Sequence, residues 1–274
     1  MDFTETSAEQ AVINSFSATA DPRLAEILTA VTRHLHALVR EVRPTMAEWE
    51  QAIEFLTDIG HTCGPARQEF VLLSDVFGVS MLVETLNDSD GGTEATVLGP
   101  FHLTESPQRE LGDSIDLLGT GAPCVITGTV RATDGTPLPG ASVDIWQCSA
   151  DGFYDVQQPD RQPPGNGRGR FRTDSEGKFW FRTVVPSHYP IPTDGPVGRL
   201  LNATGRHPYR PAHVHVIAEA AGHHSLTTHM FVADSPYLDS DAVFAVKRSL
   251  ITEFADRGSH REAHFDIRLA PEGE

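Results

Sequence analysis

Two histidines stand two residues apart in the run Arg210-Pro211-Ala212-His213-Val214-His215-Val216. The run reads as a β-strand, and side chains alternate faces along a strand, so His213 and His215 point the same way. Two neutral imidazoles on one rigid face are half of a metal site. Carboxylates, cysteines, histidines and tyrosines are candidates for the other half. The chain has four tyrosines, Tyr154, Tyr189, Tyr209 and Tyr237. Tyr154 follows a strand end in Asp151-Gly152-Phe153-Tyr154-Asp155, and Tyr189 lies in Pro186-Ser187-His188-Tyr189-Pro190-Ile191-Pro192. Flanking prolines fix the backbone, which suits a ligand that must hold its direction. A tyrosine hydroxyl has an ordinary pKa of about 10, so it is a poor ligand unless the metal is strongly Lewis acidic. Two histidines with two phenolates select a hard trivalent ion, for which ferric iron, Fe(III), is the natural choice; zinc would recruit Cys, His or carboxylate instead.

The elements that must position these residues have two textures. Asp21 is a good N-cap with Pro22 at the first helical position. Leu24, Leu28, Val31, Leu35, Leu38 and Val42 then form one apolar stripe on a helix ended by Pro44. Thr45 and Glu48 make a capping box for a second helix through Trp49, Ile53, Leu56 and Ile59, expected to stop at Gly60. A third helical stretch is expected around Phe70, Leu73 and Phe77. The first helix either packs against the next two or pairs with a second subunit. From about residue 120 the pattern turns to short strands, over 125–130, 142–146, 178–183, 213–219, 226–232 and 265–269, with one helix expected from about Asp241 to Phe254. The fold expected is mainly β with α: a helical N-terminal region, residues 1–100, before an antiparallel β-sandwich catalytic domain, residues 101–274. Residues 155–170 read as a polar Pro/Gly loop of the kind that carries function over a β scaffold.

Bulk properties narrow the function. The 274 residues carry a net charge of −17, which repels phosphate backbones and anionic membranes and argues against nucleic-acid binding. Cys63, Cys124 and Cys148 are few and show no paired spacing, so a disulfide framework or zinc ribbon is not expected and a reducing cytoplasm fits. The N-terminal residues lack a basic-then-apolar leader, and no apolar run is long enough to span a bilayer.

Taken in order, Leu98-Gly99-Pro100-Phe101, Tyr154-Asp155, Tyr189-Pro190-Ile191-Pro192-Thr193-Asp194-Gly195-Pro196-Val197-Gly198 and Arg210-Pro211-Ala212-His213-Val214-His215 resemble the intradiol ring-cleavage dioxygenases, in the hydroxyquinol and catechol 1,2-dioxygenase branch. The resemblance covers nearly the whole chain. It implies that Tyr154, Tyr189, His213 and His215 hold a mononuclear non-haem Fe(III). It implies that Arg210 lies beside the substrate and that Tyr189 takes one of the substrate's protons. Fe³⁺ with two phenolates and one hydroxide is formally neutral, so it tolerates burial without a counter-ion. The substrates implied are a small aromatic diol or triol and O₂, with one oxygen inserted between the two hydroxylated carbons to give a muconic acid. A homodimer through the N-terminal helices is also implied, in some members with a phospholipid lodged between them.

Leu72, Asp75, Val97, Leu98, Gly99, Pro100, Phe101, Ile191, Pro192 and Val243 match positions that resemble the family's substrate contacts, with Arg210 and His229 beside them. An acidic Asp75 on a mostly apolar wall is costly to bury without a partner, and a third ring hydroxyl provides one. This favours hydroxyquinol (1,2,4-trihydroxybenzene) over catechol. His229 departs from the glutamine that many catechol-cleaving relatives carry near the iron, and it either tunes the ligands from behind or serves as an extra base.

Plainer readings stand beside these. Asp75 reads equally as an N-cap or a helix-surface charge, and Arg210 as a surface ion-pair member. Tyr209 and Tyr237 read as structural, and Trp146 and Trp180 as sandwich core. His213, His215 and Glu219 also fit a cupin-type H-x-H-x₃-E site for Fe(II) or Mn(II), with His229 as its later histidine. A non-enzymatic β-sandwich binding module with a helical arm is the remaining alternative.

Overall fold

The computed structural model describes residues 2–64, 67–88, 91–99, 101–102 and 106–273. Pro100 lies outside the described residues. Contacts divide the chain into two compact units, Met1–Asp58 and Ile59–Glu274.

The first unit contains α1 (Ala8–Ser15), α2 (Pro22–Val42) and most of α3 (Met46–Thr62). Asp21 caps α2 by accepting from Arg23 N and Leu24 N, with Pro22 in the first turn. The helix ends where Arg43 turns left-handed, φ 53°, before Pro44. Thr45 and Glu48 form the expected capping box. α3 runs on through Gly60 to Thr62 rather than stopping at the glycine. Ion pairs Arg40–Glu9 and Arg43–Glu5 tie α1 to α2. Thr32 is the one buried residue of α2, and its stripe lies open: Leu24 is 45% exposed and Val42 62%. The stripe therefore does not pack away against α1 or α3 within this unit.

The second unit begins with α4 (Glu69–Val76) and α5 (Val79–Leu86). The helical stretch expected around Phe70–Phe77 is α4, and α5 follows it after Gly78, φ +70°. Then come β1 (Pro123–Ala132), β2 (Ser142–Trp146), β3 (Arg168–Arg172), β4 (Lys178–Val184), β5 (Tyr189–Pro190), α6 (Pro196–Ala203), β6 (Tyr209–Arg210), β7 (His213–Glu219), β8 (Leu226–Val232), β9 (Ile251–Thr252), β10 (Ala255–Asp256), β11 (Arg261–His264) and β12 (Ile267–Leu269). One sheet runs β10-β11-β1-β12 with β4 also on β1; a second runs β3-β2-β7-β8-β9; and β5 pairs with β6 in a small third. Pairing is mostly antiparallel, but β1 pairs with β11 and β12, and β8 with β9, in parallel. The inner faces share one core, with Ile126, Val130, Phe179 and Phe181 from the first sheet and Val143, Ile145, Val214 and Val216 from the second.

Alternation sends the other residues of the second sheet to its opposite face, which is also buried. Across four strands, Arg168 pairs with Trp146, Trp146 with His215, and His215 with His229. A slip of one residue in β7 would drive both histidines into the apolar core.

Three expectations are corrected. Residues from Asp241 to Phe254 are not an α-helix: they form an irregular segment, a short 3₁₀ turn at Arg248–Leu250 and then β9. The Asp241 carboxylate accepts from Val243 N and Ala245 N, offering the backbone a partner other than the helical ladder, and Phe244 takes φ +60°. Trp180 is not core; it is 37% exposed on the outer side of β4, while Phe179 and Phe181 face inward. The last strand starts at Ile267, and α6 and β11 are elements the pattern did not announce.

Candidate metal centre and substrate pocket

β7 brings His213 and His215 to the buried outer face; the loop after β2 brings Tyr154 to meet them, and β5, paired with β6, brings Tyr189. Their polar atoms close a ring. Tyr154 Oη lies 3.2 Å from Tyr189 Oη, Tyr189 Oη 3.3 Å from His213 Nε2, the two Nε2 atoms 3.2 Å apart, and His215 Nε2 3.1 Å from Tyr154 Oη. All four residues are buried. Four lone-pair donors 3.1–3.3 Å apart around a ring are close enough to be shared by a single small cation. His213 Nδ1 lies 2.7 Å from Pro211 O, which accepts only, so that nitrogen carries the proton and Nε2 turns its lone pair inward.

The electrostatics suit a cation and oppose its absence. Burial holds His213 and His215 well below the ordinary imidazole range, keeping them neutral ligands. Burial raises both phenols, and Tyr154 furthest because Tyr189 stands against it. Arg210 partly offsets the rise at Tyr189. Phenolate here requires a strong local positive charge. Cys148 lies among the same rings, but its thiol is pushed up to about 12 by burial and donates to Ser187 O, so it is no thiolate ligand.

His229 stands with His213 and His215, their ring nitrogens within 4.8 Å of one another. Its ring nitrogens are engaged elsewhere. Nδ1 bonds the buried Thr96 hydroxyl, and Nε2 faces the Arg210 guanidinium at 3.5 Å. An Nε2 that accepts from arginine carries the lone pair, so Nδ1 donates to Thr96. Glu219, required by the cupin arrangement, is exposed at the end of β7 and absent from this cluster.

Arg210 is fully interior. Asp241 accepts from its Nε at 3.1 Å and Nη2 at 3.4 Å, and its Nη1 lies 3.3 Å from His213 Nε2. Burial opposes its charge, and Asp241 with the nearby phenols more than reverses that.

A pocket opens beside the ring, lined by Leu72, Asp75, Val97, Gly99, Phe101, Tyr189, Ile191, Pro192, Arg210 and Val243. Leu98 lines instead the wider outer cleft of about 610 Å³ and is 43% exposed, and His229 stands behind Arg210 rather than on the wall. Asp75 is neither an N-cap nor a surface charge. It is buried near the end of α4, its Oδ1 has no hydrogen-bond partner among the described residues, and burial raises its carboxyl above the usual range. Gly99 lets the wall close in, since a Cβ there would stand 2.9 Å from His215 Cε1. Tyr209 and Tyr237 stack on each other, with His188 and His207 against them, outside the ring.

Several supports were not evident from the motifs. Trp146 stacks on His215 with ring centroids 4.6 Å apart. Arg168 donates to Asp155, next to Tyr154, and to the carbonyl of Phe101, whose ring stacks on Tyr154. Glu69, fully buried, accepts from Val197 N at the start of α6 and from Arg67, which also grips Asp194. Gly195 makes this clasp possible, because a Cβ there would lie 2.4 Å from Glu69 Oε1. The tail of the tyrosine motif thus fastens the Tyr189 loop to α4, the helix carrying Leu72 and Asp75. The Asp-Gly-Pro-Val-Gly spelling, a glycine and a proline opening a helix, is the signal that could have found it.

Comparison with known proteins agrees with this arrangement. Residues 97–271 match the family model described as Dioxygenase, and residues 21–93 the one described as Catechol dioxygenase N terminus. A hydroxyquinol 1,2-dioxygenase of Rhizobium sp. is 50% identical over 254 residues, covering 92% of this chain and 86% of that protein. A 6-chlorohydroxyquinol 1,2-dioxygenase of Cupriavidus pinatubonensis is 47% identical, covering 96% of each. The crystal structure of a hydroxyquinol 1,2-dioxygenase from Pseudomonas putida superposes with a TM-score of 0.91 at 42% identity, covering 98% of this chain and 99% of that one. With both family models matched in order and a charge-bearing pocket set against a histidine–tyrosine ring, the chain belongs to the intradiol ring-cleavage dioxygenases.

Proposed function

We propose that this enzyme is a hydroxyquinol 1,2-dioxygenase, cleaving 1,2,4-trihydroxybenzene between its adjacent hydroxylated carbons to 3-hydroxy-cis,cis-muconate, the tautomer of maleylacetate. Relatives named for hydroxyquinol or its 6-chloro derivative support the substrate class. The observation that carries the choice over catechol is Asp75, buried on an otherwise mostly apolar wall with one carboxylate oxygen unpartnered. Leaving such a group without a hydrogen bond costs about 1–3 kcal/mol or more when charged, and the third ring hydroxyl removes that cost.

Tyr154, Tyr189, His213 and His215 are the residues that would hold the metal, mononuclear non-haem Fe(III). When bound, the ion supplies the Lewis acidity that makes two buried phenols phenolates and withdraws electron density from a catecholic ring. Around it the chain orders the reaction. His213 presents a lone pair fixed by Pro211 O. Tyr189 Oη is the phenol placed to take a ring-hydroxyl proton, because Tyr189 lines the pocket and Tyr154 does not. The Arg210 guanidinium, unable to lose its proton, offers fixed positive charge to developing anionic character on the ring. Leu72, Val97, Ile191 and Val243 exclude water from the ring faces.

The exposed stripe on α2 is the surface through which two copies pair, and a phospholipid chain lodged there would cover apolar area the helices leave open. The break between family models, after residue 93 and before residue 97, supports a helical dimerisation region over 1–100 and a catalytic region over 101–274. Free Cys63, Cys124 and Cys148 fit a reducing cytoplasm, and no described helix is long and apolar enough to cross a membrane.

Oxygen consumption with hydroxyquinol and catechol side by side tests the substrate. Faster turnover of hydroxyquinol is expected, and faster turnover of catechol would overturn the Asp75 argument. Elemental analysis should find about one iron per chain, and the red of ferric tyrosinate should bleach in Tyr189→Phe. Light scattering with lipid extraction checks the dimer; a monomer would remove the role given to the stripe.

A further inference from the structure

Asp75 and Arg210 line the same pocket with opposite charges. Left to themselves they would pair, and Asp75 would be spent before any substrate arrived. What stands against this is a second carboxylate. Asp241 is 4% exposed and takes four N–H groups on its two oxygens. Oδ1 accepts from Arg210 Nε and from Val243 N at 3.3 Å; Oδ2 accepts from Arg210 Nη2 and from Ala245 N at 3.0 Å. The carboxylate therefore fixes the guanidinium and also the backbone of Val243, a wall residue of the same pocket.

We propose that Asp241 is a positioning residue for substrate selection, one that holds Arg210 back from Asp75 so that the Asp75 carboxylate stays available to a ring hydroxyl. The proposal rests on the reading of Asp75 and Arg210 as substrate contacts. The chemistry of the alternative side chain makes it specific. An asparagine at 241 keeps one acceptor oxygen but turns an NH₂ toward the two donors that shared the other, Arg210 Nη2 with Ala245 N or Arg210 Nε with Val243 N, donor against donor. The guanidinium then loses one of its two holds, and the other carboxylate lining the pocket is Asp75, with one oxygen unpartnered.

The test uses iron-loaded full-length protein and steady-state oxygen uptake with both substrates. Wild-type preference for hydroxyquinol is established first; its absence breaks the substrate reading itself and is seen before any variant is made. Asp241→Asn should lower kcat/KM for hydroxyquinol by about 10²-fold, the cost of misplacing a substrate-orienting group by about 1 Å. The hydroxyquinol-to-catechol ratio should fall roughly tenfold, since the charge-assisted bond to the extra hydroxyl is lost. Iron per chain and the visible tyrosinate absorption should hold. In an Asp75→Asn background the same substitution should leave the ratio unchanged, because the anion that Arg210 would seize is gone. Equal losses for both substrates, a further change of ratio in that background, or iron lost in step with activity would each overturn the proposal. If Asp241→Asn does not fold, Asp241→Glu, which keeps the charge and moves it by one methylene, is read by the same ratio with the same two outcomes.

Discussion

Arg168 with Asp155 and Arg210 with Asp241 are both buried ion pairs in the β unit, but the first holds its arginine more tightly. Arg168 Nε donates to Asp155 at 2.8 Å and Nη1 to Phe101 O at 2.9 Å, while Nη2 lies 2.7 Å from the same Asp155 oxygen as an ion-pair contact. Two arms of the fork donate to fixed protein and the third rests against its carboxylate. Arg210 is held more loosely, at 3.1 and 3.4 Å, and its remaining N–H groups face imidazole nitrogens at 3.3–3.5 Å. A lone pair given to a metal could not also accept from arginine, so a metal held by His213 would leave Nη1–H to a substrate oxygen. The same two residue types thus serve as a brace behind Tyr154 and as a reserve of unspent donors in the pocket.

Breaking the brace should show in folding. Arg168→Met leaves Asp155 buried and unpaired, and a loss of about 3–5 kcal/mol in urea unfolding is expected, with turnover per bound iron little changed. A smaller stability loss than that of Arg210→Lys would erase the distinction. Breaking the reserve should show in catalysis instead. Arg210→Lys keeps the charge but not the fork, and kcat/KM for hydroxyquinol should fall about 10²-fold.

Asp75 sharpens the contrast as a buried charge with no fixed counter-ion. Its carboxyl is raised by burial, so between the ordinary value of about 4 and its own higher value the unfolded chain releases a proton the folded chain retains. Stability is lost as pH rises through that window. Asp75→Asn should therefore melt higher than wild type at pH 7, with the gain shrinking as pH falls toward about 4, while preference for hydroxyquinol drops roughly tenfold. A variant that melts lower at neutral pH would mean that Asp75 is paired after all. The smallest effect is expected at Thr96→Val, which removes the acceptor of the His229 Nδ1 proton. A cost of about 1–3 kcal/mol in stability with only a modest change in kcat fits a neutral neighbour of Arg210.

The strands were legible from short β-branched and apolar runs between turn residues, and the alternation of side chains along a strand put His213 and His215 on one face before any contact was known. The tyrosines were legible from their prolines and from being so few. The residues that steady them were not. Arg168, Asp241 and Glu69 act on groups brought near by topology, and no local spacing announces a carboxylate that will meet an arginine from another element. The mistaken helix over Asp241–Phe254 has the same origin. Its apolar spacing suits a helix, yet the Asp241 side chain claims the N–H groups of Val243 and Ala245 for the arginine's sake. The function of that segment overrode its periodicity.

The clasp of Glu69 on the first turn of α6 bears on which substitutions the pocket tolerates. With Gly195 closed to every side chain and Glu69 sealed beneath it, a change at either would unlatch the Tyr189 loop from α4. Leu72 and Asp75 sit one turn apart on that helix and take no part in the clasp, so a change in the ring accepted can be written there without loosening the loop.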